Sequence, residues 1–229
     1  MTQNQAEPID QLWAAACCHL PSLAPAEQRA GLLLLRELAR GKPVAIDQLA
    51  RALAESIDAA ESFVKRSALS AFVHADEAGR ILGFWGLSVA PTHHRITVEG
   101  RALWTWCAYD SLFMPELLGS SAVVESRDPD SAQPLRLIVS PTRIEAAEPG
   151  GMVMSMMNPN AWDTTSAARV MASACHFIYF FASRASAERW RAEHPQTVSL
   201  SLEDAFSLTR RYNAHLFGAE LGRRRVALP

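Results

Sequence analysis

Ile46-Asp-Gln-Leu-Ala-Arg-Ala-Leu53 and Asp58-Ala-Ala-Glu-Ser-Phe-Val-Lys-Arg-Ser67 are two short runs with apolar residues at helical spacing. Ala71–Val73 and Ile81–Leu87 follow them, flanking the turn Asp76-Glu77-Ala78-Gly79 as a hairpin. Helix, helix and hairpin in that order form the outline of a winged helix-turn-helix. Upstream, residues 8–20 and 26–40 repeat the helical spacing, the second run opening after Pro25 and stopping at Gly41-Lys42-Pro43. The outline is ordinarily used to place its second helix in a DNA groove. Here that helix carries Asp58 and Glu61 at its start and only Lys65 and Arg66 near its end, so phosphate contacts would be few. A structural or substrate-covering role is expected instead of nucleic-acid binding.

Beyond residue 90 the character changes. Pro91, His93-His94 and Thr97–Arg101 suggest a linker and a short strand, which places a boundary between a domain 1–90 and a domain 91–229. Leu103–Leu118 reads as one helix, and Ser121–Ser126, Leu135–Val139, Met152–Met157 and Cys175–Phe181 as strands. Thr165–Ala172, Ser186–His194 and Leu202–Leu221 read as helices, and Arg223-Arg224-Arg225 as a frayed basic end. The class expected is α+β.

The whole chain narrows the function. Its 229 residues are 49% hydrophobic, enough for a sizeable core, and its formal charge of −2 gives no field to hold phosphate or anionic lipid. No apolar run reaches the length that spans a bilayer, and Met1–Ile9 lacks the basic and apolar parts of a secretory leader. A soluble, cytoplasmic protein with a small partner is expected, in a compartment where thiols stay reduced.

The chain has four cysteines, at 17, 18, 107 and 175, and no CxxC. On a helix the adjacent Cys17 and Cys18 would point about 100° apart and would not readily share a ligand. The histidines are scattered, without the paired spacing of a tetrahedral zinc site. Leu103-Trp-Thr-Trp-Cys107-Ala-Tyr-Asp110-Ser-Leu-Phe-Met-Pro115 places a thiol and a carboxylate on one helical face beside Trp104, in surroundings that raise a carboxyl pKa toward the range of proton transfer. Read alone, the same pair could equally be a core thiol and an acid bonded to nearby amides. Strand alternation through Ser173–Ser183 turns Cys175 and His176 to opposite faces, which argues against a thiolate–imidazolium hydrolase.

Together these segments resemble the organomercurial (alkylmercury) lyase family. The resemblance also takes in Leu33–Val44, Val139-Ser-Pro141, Glu145–Met152, Phe180-Phe-Ala-Ser183, Asp204-Ala-Phe206, Asn213 and His215, colinear over about residues 30–217. It implies a small helical, winged-helix-like N-terminal domain packed on a mixed α/β catalytic domain. It also implies protonolysis of a carbon–mercury bond by Cys107, Asp110 and Cys175, with mercury as substrate and the two thiols as its ligands. No cofactor is implied beyond small-molecule thiols for product release, and a mercuric reductase is the implied recipient of Hg(II). Trp104, Trp106 and Phe113 are expected around the organic group. Two departures stand out: a further cysteine frequent in the family falls at about Asp128, and the aromatic residue that often precedes the second cysteine is Ala174. A thiol-based sensor or sequestering protein for soft metals is the competing reading; it would need the cysteines but not Asp110.

Overall fold

The computed structural model describes residues 8–226, with side chains over 9–223. The polar N-terminal stretch Met1–Ile9 therefore lies, but for its last two residues, outside the described residues. Four helices open the chain: α1 (Pro8–Cys17), α2 (Pro25–Leu38), α3 (Ile46–Leu53) and α4 (Ile57–Arg66). Their ends follow local chemistry. Pro25 starts α2 and Glu27 reaches back to the Ala24 amide at 3.0 Å, while Ser56 caps α4 by accepting from the Ala59 amide at 3.1 Å.

The strands β1 (Val73–Ala75), β2 (Ile81–Phe84) and β3 (Leu87–Ser88) follow, so the expected strand Ile81–Leu87 is in fact two. Phe84 pairs with Leu87 across Trp85-Gly86, whose φ values of 49° and 85° are those of a two-residue hairpin turn. β4 (His94–Val98), β5 (Arg101–Thr105), β6 (Ala122–Arg127), β7 (Pro134–Val139) and β8 (Ile144–Glu148) complete an antiparallel sheet in the order β1-β2-β3-β5-β4-β6-β7-β8. The boundary expected near residue 90 falls between β3 and β4. The sheet crosses it, because Leu87 and Ser88 pair with Thr105 and Trp104. One apolar core likewise includes residues from Ala30 to Leu221.

Between β5 and β6 lies α5 (Ala108–Leu118), and the expected helix Leu103–Leu118 is corrected accordingly: its first three residues are strand, and Cys107 is the residue before the helix. Residues 108–115 of α5 are all buried, so there is no polar face to betray where the helical period begins.

A second sheet, β10-β9-β11, comprises β9 (Val153–Met157), β10 (Phe180–Phe181) and β11 (Thr197–Ser201); β8 and β11 had no expected counterpart. The expected strand Cys175–Phe181 is corrected too. Cys175–Phe177 is a 3-10 turn after α6 (Ala167–Ser173), and only Phe180–Phe181 is strand. Ser155 bonds both sides of Ile178, donating to the Phe177 carbonyl at 2.8 Å and accepting from the Tyr179 amide at 3.0 Å. Two helices close the chain, α7 (Arg184–Ala192) and α8 (Leu202–Val226). The basic tail is not frayed in its backbone, which continues α8 to Val226; the side chains of Arg224 and Arg225 lie outside the described residues. Asn213 on α8 donates to the Phe113 carbonyl at 3.1 Å and to Glu116 at 2.9 Å, and Arg210 pairs with Glu116, so α8 is tied along α5.

Candidate active site

Two chain segments far apart in sequence meet at the start of α5. Cys107 ends the strand-to-helix turn, Asp110 stands in the first helical turn, and Cys175 begins the 3-10 turn. Their two sulfurs and a carboxylate oxygen all lie within 4.8 Å of one another. Among the described residues this is the one group of three or more histidine, cysteine or acidic side chains placed to hold a metal ion together. All three are buried, at 2%, 7% and 7% exposure for Cys107, Asp110 and Cys175.

Backbone bonds fix the cluster. The Cys107 amide donates to Asp110 Oδ2 at 2.8 Å, the Thr105 hydroxyl to the Cys107 carbonyl at 3.0 Å, and the Ala108 amide to the Ile178 carbonyl at 3.2 Å. This last bond joins the segment of the first thiol to that of the second. Beneath the carboxyl lies Gly86, whose own amide plane is held by the Trp106 amide donating to its carbonyl at 2.8 Å. A Cβ at Gly86 would stand 2.5 Å from Asp110 Cγ, and φ is +85° there, so both the space and the backbone require glycine. Trp85, the other residue of that turn, packs edge-on to Phe72 and stacks on Tyr212.

Burial sets the protonation. Loss of water raises the Asp110 carboxyl from 3.8 to about 7, against the opposing pull of the Cys107 thiol and amide. The Cys107 thiol is pushed well above its ordinary value, by burial first, then by the Cys175 sulfur and the Asp110 charge. At Cys175 the largest influence, the Cys107 thiol, lowers the pKa, but burial and the Asp110 charge outweigh it and the net shift is upward. Burial first, and then neighbouring ionisable groups, also raises the Tyr109 and Tyr212 phenols, so the site holds two protonated thiols and a carboxyl poised near neutrality.

A cavity of about 50 Å³ opens over these groups, walled mainly by Leu20, Phe72, Tyr109, Trp162, Val170 and Tyr212. Ala174 and Ile178 also reach it, so the place where an aromatic residue was expected is lined by a methyl group. The expectation that Trp104, Trp106 and Phe113 surround the pocket is corrected: none lines it, because Trp104 is on β5 and not one helical turn from Cys107. Spacing could not have found Tyr212, Phe72 or Gly86, which arrive by tertiary packing. A larger groove of about 830 Å³ runs past His93, Arg127 and Tyr179, and none of the three clustered residues lines it. His176 is exposed while Cys175 is buried, so the two form no dyad. Asp128, where a further cysteine was considered, is buried and accepts from the Ala182 amide and the Ser186 hydroxyl, anchoring β10 and α7.

Comparison with known proteins points to the same segments. A family model described as "MerB: Alkylmercury lyase" matches residues 87–213. The alkylmercury lyase of Bacillus cereus is 38% identical over 177 residues, 77% of this chain and 77% of that protein. The one from Staphylococcus epidermidis is 33% identical over 181 residues, 79% and 80% of the two chains. A structure described as "Crystal structure of the mercury-bound form of MerB2" is 23% identical, with a TM-score of 0.70 over 90% of this chain and 98% of that one, which shows a shared mixed α+β fold. The matched residues run from β3 into α8 and so enclose both segments that meet at the start of α5; the chain belongs to the alkylmercury lyase family.

Proposed function

We propose that the chain is an organomercurial lyase in which Cys107 and Cys175 hold mercury and Asp110 carries the proton that replaces it on carbon. The observation that carries this reading is the meeting of two thiols and a carboxyl of pKa about 7 within 4.8 Å, in an apolar pocket. Mercury in R–Hg⁺ is soft, and thiolates are the softest ligands a protein offers. One thiol displaces the ligand that brought the organomercurial, which leaves with that thiol's proton. The second thiol passes its proton to the Asp110 carboxylate and binds mercury. Asp110 then delivers the proton to carbon, the carbon–mercury bond breaks, and hydrocarbon leaves while Hg(II) stays between the two sulfurs. Mercury keeps its oxidation state throughout. Asp110 ends as the carboxylate it began as, so side chains and small thiols complete the balance with no cofactor.

In this reading residues 91–229 carry the thiols and the acid, and residues 1–90 cover them, supplying Leu20, Phe72 and Gly86. The order α2-α3-α4 followed by β1-β2 is that of a winged helix. It is used here for cover, since Lys65 pairs with Glu61 within α4 and Arg66 bonds Ser62. Among the described residues no helix is long and apolar enough to cross a membrane. The cytoplasm, where small thiols and a mercuric reductase can take Hg(II), is the setting this chemistry needs.

Incubation with phenylmercury and excess thiol tests the reading. Benzene is expected. Tight mercury binding without benzene would make the chain a soft-metal sensor or store instead.

A further inference from the structure

The adjacent thiols of Cys17 and Cys18 take no part in the chemistry above. On an unbroken helix they would diverge, but α1 ends at Cys17. The chain then turns back over its last helical turn, the His19 amide donating to Ala16 at 3.0 Å and the Leu20 amide to Cys17 at 3.3 Å. Both sulfurs converge on one atom, each 3.3 Å from the Ala14 carbonyl oxygen, so they stand no further apart than twice that distance. Cys18 is exposed and Cys17 partly so, whereas Cys107 and Cys175 are buried.

Their place in the fold matters as much as their convergence. Leu20, two residues after Cys18, is part of the wall of the cavity over Cys107, Asp110 and Cys175. The His19 ring packs 6.3 Å from the Trp162 ring, which is another part of that wall. Consecutive Cα atoms are about 3.8 Å apart, so the paired thiols sit at the rim of the pocket.

We infer that Cys17 and Cys18 form a second, solvent-facing site for mercury(II), which receives the ion as it leaves the buried pair. The inference rests on the lyase reading, which supplies Hg(II) between Cys107 and Cys175. Transfer is ligand exchange at mercury. The Cys18 thiol loses its proton and bonds to mercury, and one buried sulfur leaves and takes up a proton. The Cys17 thiol then replaces the other in the same way. Two bonds form, two break, two protons change sulfur, and nothing is oxidised. A pair suits Hg(II), which takes two sulfurs, better than R–Hg⁺, which has one open place.

The test uses the full chain, fully reduced, with mercuric chloride as the probe. Cys107→Ser/Cys175→Ser should retain about one mercury per chain against a competing monothiol, and lose it when Cys17→Ser is added. Retention no greater than in a chain with all four cysteines replaced overturns the inference, as does mercury held only between two chains. After a single turnover of methylmercury, Cys17→Ser/Cys18→Ser should yield its Hg(II) to a small thiol several-fold more slowly than the parent; an equal rate overturns the transfer. Methane released in that turnover reports on the lyase reading separately. Methane with no mercury at the rim refutes this inference alone, and no methane from the parent refutes the reading beneath it.

Discussion

Asp110→Asn should move stability and activity in opposite directions. In the folded chain the Asp110 carboxyl is raised from 3.8 to about 7, chiefly by burial. A carboxyl that holds its proton more tightly when folded adds stability below its unfolded pKa, and that stability is lost as pH climbs to the folded one. The whole difference corresponds to about 4 kcal/mol, of which about 3 kcal/mol falls between pH 5 and 8. Asparagine keeps the shape, can still accept from the Cys107 amide, and carries no charge to bury. The stability of Asp110→Asn relative to the parent should therefore grow by about 3 kcal/mol from pH 5 to pH 8, read by urea denaturation at each pH. Titration of every other group, including buried His94 with its pKa lowered to about 3, largely cancels between two chains that differ at one side chain. Turnover of phenylmercury, read as benzene, should fall by about 10² to 10⁴ while mercury is still captured. A pH-independent stability difference would show that the carboxyl is not held near neutrality. Parent-like turnover would show that the proton reaches carbon by another route.

Cys107→Ser and Cys175→Ser should each reduce benzene release to background, since a hydroxyl neither ionises nor binds mercury as a thiolate does; turnover in either would move the site elsewhere. Gly86→Ala should cost about 1–2 kcal/mol through its backbone and about 10² in rate by displacing the Asp110 carboxyl. Gly119→Ala, at φ +76° with nothing within 4 Å of the added carbon, should show a similar stability cost and parent-like turnover, which separates backbone strain from the carboxyl's position. Ala174→Phe should fill the cavity and lower kcat/KM for phenylmercury at least about tenfold more than for methylmercury, measured with the two substrates side by side.

What could be read from the residues depended on whether the signal was local. Helices α3 and α4 lie within a residue of their expected bounds because an apolar stripe and end signals such as Ser56 are written in adjacent residues. Leu103–Leu118 merged a strand with a helix because apolar side chains run through both and α5 is buried on almost every side, leaving no period to count. Alternation through Cys175–Phe181 gave a strand where Ser155, distant in sequence, brackets Ile178 just after a 3-10 turn. The thiol and carboxyl at 107 and 110 were visible as a pair. Their meeting with Cys175 followed only from family resemblance, and Gly86 and Tyr212 carried no signal at all, since each matters through a neighbour supplied by another element.

Burial of the two thiols has a consequence for how the protein keeps between encounters with its substrate. Oxidation of cysteine, whether to a disulfide or to a sulfenic acid, begins with the thiolate. Cys107 and Cys175 lie close enough to be vulnerable to each other, yet both have raised pKa values and are sealed beneath Leu20 and Trp162, so at neutral pH they rest as unreactive protonated thiols. A thiophilic metal can displace those protons itself, whereas a peroxide must wait for them to leave. The same apolar walls thus shield the resting thiols from oxidation, and a thiophilic metal, which displaces the thiol proton itself, can still engage them.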